Sequence, residues 1–294
     1  DSGLGGLSVL NEALKKLPNE EFLYYADRKN VPYGLKSKDE ILKFSSHAVK
    51  FLIDQGANAI VIACNTATSA AINELRAKFD LPIIGMEPAV KKAADLNREG
   101  ENSASLRTLV IATPLTVQGA KLKELIERVD SEHLVDVLAL PRLVEFAENE
   151  NFACDEVKEY LREEFAKFKL QNYCALVLGC THFNYFKDSL REILPAGVSL
   201  IDGNEGTINK LISELSRLNL AHGKGQSVEY FYSGRALDAA RLGHQCGPDQ
   251  RGAPEPMSAV PSRRRRRVVA LSAADRERVA RGEPPEAVAE RERR

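Results

Sequence analysis

The chain of 294 residues carries a formal net charge of −1 and 44% hydrophobic residues, enough for one large or two ordinary domains with a sizeable core. Near-neutral charge leaves no global attraction to nucleic acid or to a membrane surface, no apolar stretch is long enough to span a bilayer, and the N-terminus lacks a signal-peptide pattern. Its five cysteines, Cys64, Cys154, Cys174, Cys180 and Cys246, are odd in number and irregularly spaced, which argues against a disulfide framework and fits a reducing cytoplasm.

Helix and strand patterns alternate along the chain. They predict a helix over 7–17, a strand over 22–26 and a longer helix over 38–55, with Ile41, Phe44, Ala48, Phe51 and Leu52 at helical spacing. Strand 59–63, helix 66–79, strand 82–85 and helix 88–98 follow. A polar loop, 99–105, separates these from strand 106–112, helix 115–129 and strand 134–140. Helices 142–149 and 155–170 come next, then strand 174–178, helix 185–194, strand 198–201, helix 205–218 and strand 228–232. Such alternation is the signature of βαβ units and a mostly parallel sheet. The expected fold is α/β, with two similar Rossmann-like or flavodoxin-like parallel-sheet domains and a cleft between them. Residues 1–88 with 202–235 are expected to form one domain and 89–201 the other.

Composition breaks near Gly234. Residues 1–235 hold 18 Lys and 10 Arg, whereas residues 236–294 hold no Lys and 13 Arg. This tail is too poor in large apolar residues to build a core and reads as disordered. Residues 263–267 are five consecutive arginines. They fit either a nucleic-acid or targeting patch or a solvated run unrelated to the domain, and the second reading is preferred. The change in Lys and Arg usage points to a fused or out-of-frame C-terminus. The chain opens on Asp1 rather than Met, which reads as an incomplete N-terminus.

Two segments mirror each other. Ile60-Val61-Ile62-Ala63-Cys64-Asn65-Thr66 and Leu176-Val177-Leu178-Gly179-Cys180-Thr181-His182 each run from apolar residues through a small residue to a cysteine, 180 − 64 = 116 residues apart. Each apolar run predicts a buried parallel strand, so each cysteine falls at a strand end, where open α/β sheets bind ligands. Helix N-termini are expected behind both, lowering each thiol below its usual value of about 8.5. Two such thiols facing one pocket suit a symmetric reaction, one removing a proton from a carbon and the other returning it on the opposite face. Asp1-Ser2-Gly3-Leu4-Gly5-Gly6 is a Gly-rich turn opening a helix, able to bring N–H groups near an anion. It does not match G-x-G-x-x-G. Val31-Pro32-Tyr33-Gly34 reads as a further turn. A zinc site from Cys64, Cys180, His182 and Asp1 is conceivable, but no C-x-x-C or H-x₃-H spacing supports it. No motif indicates a pyridoxal site or a metal cluster. Cys154 and Cys174 read as buried core, and His47, His133, His222 and His244 as solvent-facing.

Asp1-Ser2-Gly3, Pro32-Tyr33-Gly34, Ala63-Cys64-Asn65-Thr66 and Gly179-Cys180-Thr181-His182 occur in the order, and near the spacing, found in glutamate racemases. Over residues 1–235 the chain resembles that family. The Cys-Asn-Thr and Cys-Thr-His pair alone would mark only the wider aspartate/glutamate racemase superfamily. The resemblance implies cofactor-independent interconversion of L- and D-glutamate, supplying D-glutamate for peptidoglycan. It also implies a cytoplasmic homodimer with a small-molecule substrate, no membrane partner, and no nucleic-acid partner for the core domain.

The family pattern assigns roles as follows. Cys64 deprotonates the D-isomer and Cys180 the L-isomer. Asp1 is the acid beside the first cysteine, His182 the imidazole beside the second, and Glu145 a glutamate on the histidine side. Asp1, Ser2, Tyr33, Gly34, Asn65, Thr66, Thr181 and His182 match substrate-binding positions, and Thr113 and Thr116 resemble a Thr-rich turn lining the pocket. A carbanion formed without an electron sink needs preorganised donors around the substrate, and Asp1 and His182 are suited to holding or relaying protons. Three features depart from the pattern: the family's apolar strand before the first motif, Ala112-Thr113 in place of Gly-Thr, and the tail after about Arg235. The rival readings are another amino-acid racemase, such as an aspartate racemase, and a non-enzymatic nucleic-acid-binding protein acting through the arginine tail.

Overall fold

A computed structural model describes residues 1–99, 106–220 and 225–236. The chain begins with α1 (Leu7–Lys16), β1 (Glu21–Ala26), α2 (Lys38–Asp54), β2 (Ile60–Ile62), α3 (Asn65–Lys78) and β3 (Ile83–Gly85). It continues through α4 (Val90–Glu99), β4 (Arg107–Ala112), α5 (Pro114–Gln118), α6 (Ala120–Val129), β5 (Val135–Ala139), α7 (Arg142–Glu148), α8 (Asp155–Phe165), β6 (Tyr173–Leu178), α9 (Lys187–Ile193) and β7 (Ser199–Asp202). It then returns as α10 (Asn204–Arg217), β8 (Ser227–Tyr232) and β9 (Arg235–Ala236). The tail beyond Ala236, with its five-arginine run and Cys246, lies outside the described residues, as do His222 and His244.

The architecture is two α/β parallel-sheet domains. In the second, four parallel strands lie in the order β5-β4-β6-β7. Alternate residues of each central strand enter different cores, as the two-residue period of a strand requires. Leu109, Ile111, Leu176 and Leu178 pack with α7, α8 and α9 residues such as Leu143, Leu161 and Leu190. Val110, Ala175 and Val177 pack on the other face with Val90, Leu122 and Leu125 of α4 and α6. Both faces are covered, so the strands read as continuous apolar runs.

The first domain departs from a simple copy of this plan. Its strands form two ladders, β2-β3 and β1-β8-β9, with β8 and β9 antiparallel. On its edge away from β8, β1 is met at its C-terminal end by the backbone of Asp1, which donates to Tyr25 O at 2.9 Å and accepts from Asp27 N–H at 3.0 Å. α2 begins on a full capping box, with Ser37 Oγ accepting from Glu40 N–H and Glu40 accepting from Ser37 N–H. α2 and α3 share a core of Ile41, Val49, Ile72 and Leu75.

Two predicted helices change form. The helix expected over 115–129 is broken at Gly119, which takes an extended conformation. A Cβ there would lie 2.5 Å from Ser69 Oγ and 3.1 Å from Leu115 O, so close packing against α3 selects glycine. The helix expected over 185–194 is α9 preceded by a 3-10 turn, Thr181–Phe186, which starts directly behind Cys180. Cys154 is exposed at the start of α8 and Cys174 is only partly buried, so neither is the core cysteine expected. Cys154 precedes an amphipathic surface helix rather than lying in a strand.

Candidate active site

Cys64 follows β2 and is the N-cap of α3. The Ala67 N–H donates to Cys64 Sγ at 3.4 Å, and Sγ lies 3.9 Å from Ser2 Oγ. A helix N-terminus favours a thiolate, and this much was expected. The net effect runs the other way: burial pushes the Cys64 thiol up by more than the Ala67 N–H lowers it, with Cys180 adding to the rise and the Asp1 ammonium and Ser2 opposing it. At 6% exposure the sulfur is too far from water for one N–H to offset the lost solvation.

Cys180 is equally buried at 6%, and its surroundings differ. The turn behind it is 3-10 and no N–H caps its sulfur, which corrects the expectation of matching α-helix N-termini. Instead His182 Nδ1 lies 3.8 Å from Cys180 Sγ, and His182 Nε2 lies 2.7 Å from Glu148 Oε1. Burial disfavours the imidazolium, but Cys180 and Glu148 outweigh it and hold His182 up at about 9. Burial likewise opposes the Glu148 carboxylate. His182, the Leu4 N–H at 2.7 Å and Arg28 together keep it below the ordinary carboxylate value. His182 thus sits between a carboxylate and the Cys180 sulfur, placed to pass a proton to or from it.

Glu145, the residue expected on the histidine side, is exposed on the outer face of α7, beside exposed Arg142 and Asn149. Glu148 is the carboxylate that meets His182. The signal was present in the sequence: Leu143, Val144 and Ala147 mark the buried face, and residue 148, four on from Val144, continues it. A glutamate on an apolar helix face needs a partner, and His182 supplies one.

Asp1 Oδ2 accepts from the Gly3 and Gly6 N–H groups at 3.0 and 2.9 Å, organising the Gly-rich turn, and Oδ1 is buried without a hydrogen-bond partner. Ser2 of this turn reaches Cys64. Gly3 and Gly5 are required by contact across the cleft. A Cβ on Gly3 would strike the Glu148 carboxylate, and one on Gly5 would sit 2.8 Å from the His182 backbone nitrogen.

Tyr33 is buried, but its hydroxyl donates to Asp27 Oδ2 at 2.7 Å rather than pointing into free space. Asp27 also accepts from Asn30 and from Ser233 Oγ. Sequence reasoning missed this aspartate, although its place directly after a parallel strand was a usable signal. Gly34 lets the following turn close on Thr113, whose Cβ would be 2.9 Å from an added Cβ. Thr66 of α3 meets Thr113 and Thr116 from the second domain in a buried hydroxyl triangle, with separations of 2.8, 3.4 and 3.0 Å. Asn65 is 3% exposed and neither its amide oxygen nor its nitrogen has a partner. Thr181, also buried, packs against Gly5. Buried polar atoms are nearly always satisfied, so the free atoms of Asn65 and Asp1 mark places where a polar ligand would gain most.

Among the described residues no three His, Cys, Asp or Glu side chains converge to hold a metal ion. No helix among them is long and apolar enough to cross a membrane. A groove of about 370 Å³ between α2 and the end of α3, lined by Lys43, His47, Lys50 and Phe79, lies away from the cysteines. It is an open surface feature that none of the motifs touches.

A family model described as Asp/Glu/Hydantoin racemase matches residues 2–211. The two-domain scaffold and its paired thiols therefore define a racemase of that class. The chain is 96% identical over 247 residues to the glutamate racemase of Campylobacter curvus (strain 525.92), covering 83% of this chain and 93% of that protein. Glutamate racemase isoform RacE1 from Bacillus anthracis matches in structure with a TM-score of 0.70 at 26% identity, over 83% of this chain and 89% of that one. The glutamate racemase of Francisella tularensis subsp. tularensis SCHU S4, solved in complex with D-glutamate, matches with a TM-score of 0.67 at 30% identity, over 79% and 85%. The chain belongs to the glutamate racemase family.

Proposed function

We propose that this chain interconverts L- and D-glutamate without a cofactor, by proton transfer between two thiols on opposite faces of the α-carbon. The observation that carries the reading is the pair of buried sulfurs, each at the C-terminal end of a parallel strand, Cys64 beside Ser2 and Cys180 beside His182. Cys64, as thiolate, takes the α-proton of D-glutamate, and the electron pair of the broken C–H bond stays on the α-carbon. The Cys180 thiol then delivers its proton to the other face, giving L-glutamate. The reverse reaction uses the sulfurs in the opposite order. His182, held by Glu148, sets the proton inventory of Cys180. The unpartnered Asn65 amide, the Thr66, Thr113 and Thr116 hydroxyls and the Asp1-Ser2 turn are the groups we assign to the substrate's carboxylates and ammonium. Preorganised donors of this kind stabilise developing charge without reorganisation.

In this reading residues 1–88 with 202–235 form one domain and 89–201 the other, the first sheet contributing Cys64 and the second Cys180. The D-glutamate formed serves peptidoglycan synthesis in the cytoplasm, and two copies of the chain pair as a homodimer, which mass measurement by light scattering tests. The direct test of function is racemisation followed by optical rotation with glutamate and with aspartate. Turnover of glutamate in both directions is the expected result. Turnover of aspartate alone would move the assignment to an aspartate racemase.

A further inference from the structure

We infer that Arg28 is a positioning residue for the Cys180 side of the site, reaching from the end of β1 across the cleft to fix the carboxylate that holds His182. The assignment rests on the reading of His182 as the group that serves Cys180. Arg28 follows β1 in the first domain, and Glu148 ends α7 in the second. The guanidinium grips Glu148 twice: Nε forms an ion pair with Oε2 at 3.1 Å, and Nη2 donates to the Glu148 main-chain oxygen at 3.1 Å. A planar fork can hold a side chain and its own backbone together, whereas an ammonium acts as a point charge. The fork is itself fixed from behind, since Nη1 donates to Tyr232 Oη at 3.3 Å and the guanidinium lies 5.4 Å from the centre of the Tyr232 ring.

The consequence for His182 follows from how Glu148 spends its two oxygens. Oε1 takes both the His182 Nε2 contact and the Leu4 N–H, at 2.7 Å each. Oε2 is buried, with no aligned hydrogen bond, and has the Arg28 ion pair. Without Arg28 that oxygen is buried against nothing, and the carboxylate gains by turning toward water, carrying Oε1 away from His182. Arg28 therefore converts contact between the domains into a fixed imidazole at Cys180. Arg28 reaches His182 through Glu148 alone, whereas its path to Cys64 is longer, running from Glu148 through the Leu4 N–H and the backbone to Ser2; Cys64 itself is served by Ala67 and Ser2.

The difference between the two thiols supplies the test. α-Proton exchange in deuterated water isolates one half-reaction at a time: L-glutamate exchange in a Cys64→Ser parent reports Cys180, and D-glutamate exchange in a Cys180→Ser parent reports Cys64. Adding Arg28→Met is expected to slow the first by about ten- to a hundredfold, the effect of losing a charge-assisted contact. It is expected to leave the second within about twofold, given the tenfold change that each 1.4 kcal/mol would bring. Arg28→Lys retains the charge and most of the stem, so its fold is safer. It is expected to fall between Met and Arg on the Cys180 side only. Equal slowing of both half-reactions, by either variant, would reduce Arg28 to a general structural role and overturn the inference. If the Cys64→Ser parent shows no L-glutamate exchange while the unsubstituted chain racemises, the two-thiol reading itself fails and the inference falls with it.

Discussion

Cys64 and Cys180 share a strand-to-turn plan and the same burial, yet one sulfur is held by a backbone N–H and the other by a histidine–carboxylate pair. The reason lies in the turn after each cysteine. α3 starts at Asn65 and offers its third N–H to the sulfur before it. Behind Cys180 the 3-10 turn presents no such donor, and the side chain of His182, two residues on, takes that place. A backbone donor has a fixed charge and a fixed position. An imidazole can change its protonation, so the two thiols are alike in placement and unlike in the groups that serve them.

The strongest way to break this comparison is to remove each thiol. Cys64→Ser and Cys180→Ser should each lower racemisation by about 10²–10⁴-fold, as loss of a general base does, with opposite isomers retaining exchange in deuterated water. Near-normal racemisation by either variant would sink the two-thiol reading. His182→Asn and Glu148→Gln come next, with losses on the order of 10²-fold, the low end of general acid–base contributions. Both losses should fall on L-glutamate exchange. A matching fall in D-glutamate exchange would mean that the pair serves the whole pocket rather than Cys180.

Tyr33→Phe probes the Cys64 side through its scaffold. It removes the donor to buried Asp27, and hydrogen bonds to charged groups contribute about 1.5–3 kcal/mol, so chemical denaturation should show a loss of that size. An unchanged midpoint would show that Asn30 and Ser233 satisfy the carboxylate alone. The pH dependence of stability sharpens the contrast further. The folded value of His182, about 9, lies above its ordinary 6.5. Its contribution to stability is therefore complete below about 6.5 and is lost as pH rises through about 9. The melting temperature should decline across that window, and the decline should flatten in His182→Asn. The smallest effect belongs to Glu145→Gln, an exposed change expected to stay within about 0.5 kcal/mol in stability and to leave activity intact. A large loss of activity there would return the histidine-side role to Glu145.

The strand–cysteine arrangement was legible in the sequence because it is local. Buried parallel strands need continuous apolar runs, and Ile60–Ile62 and Leu176-Val177-Leu178 supply them, with each cysteine two residues beyond the run. The α/β alternation and the capping box at Ser37 follow from nearest-neighbour chemistry in the same way. The carboxylate beside His182 was not legible by motif position, because Glu145 and Glu148 share one short helix and only their rotation about its axis separates them. That rotation is set by which residues meet the second sheet, Leu143, Val144 and Ala147 among them.

Contacts distant in sequence were decided by the tertiary structure alone. Arg28 and Glu148 are 120 residues apart, and Leu4 and Glu148 are 144 apart. No period or spacing encodes such pairs, since they exist only once two sheets have packed with their strand ends facing. The split of the first sheet into two ladders, the break at Gly119 and the 3-10 turn behind Cys180 are likewise outcomes of packing against the other domain or of local backbone geometry that propensity does not resolve. By itself the sequence determined the two half-sites, because each is built within a few residues. The imidazole that distinguishes Cys180 lies two residues on and was legible too; Glu148, which holds it, and the Leu4 N–H and Arg28, which hold Glu148 from the opposite side of the cleft, came from the fold.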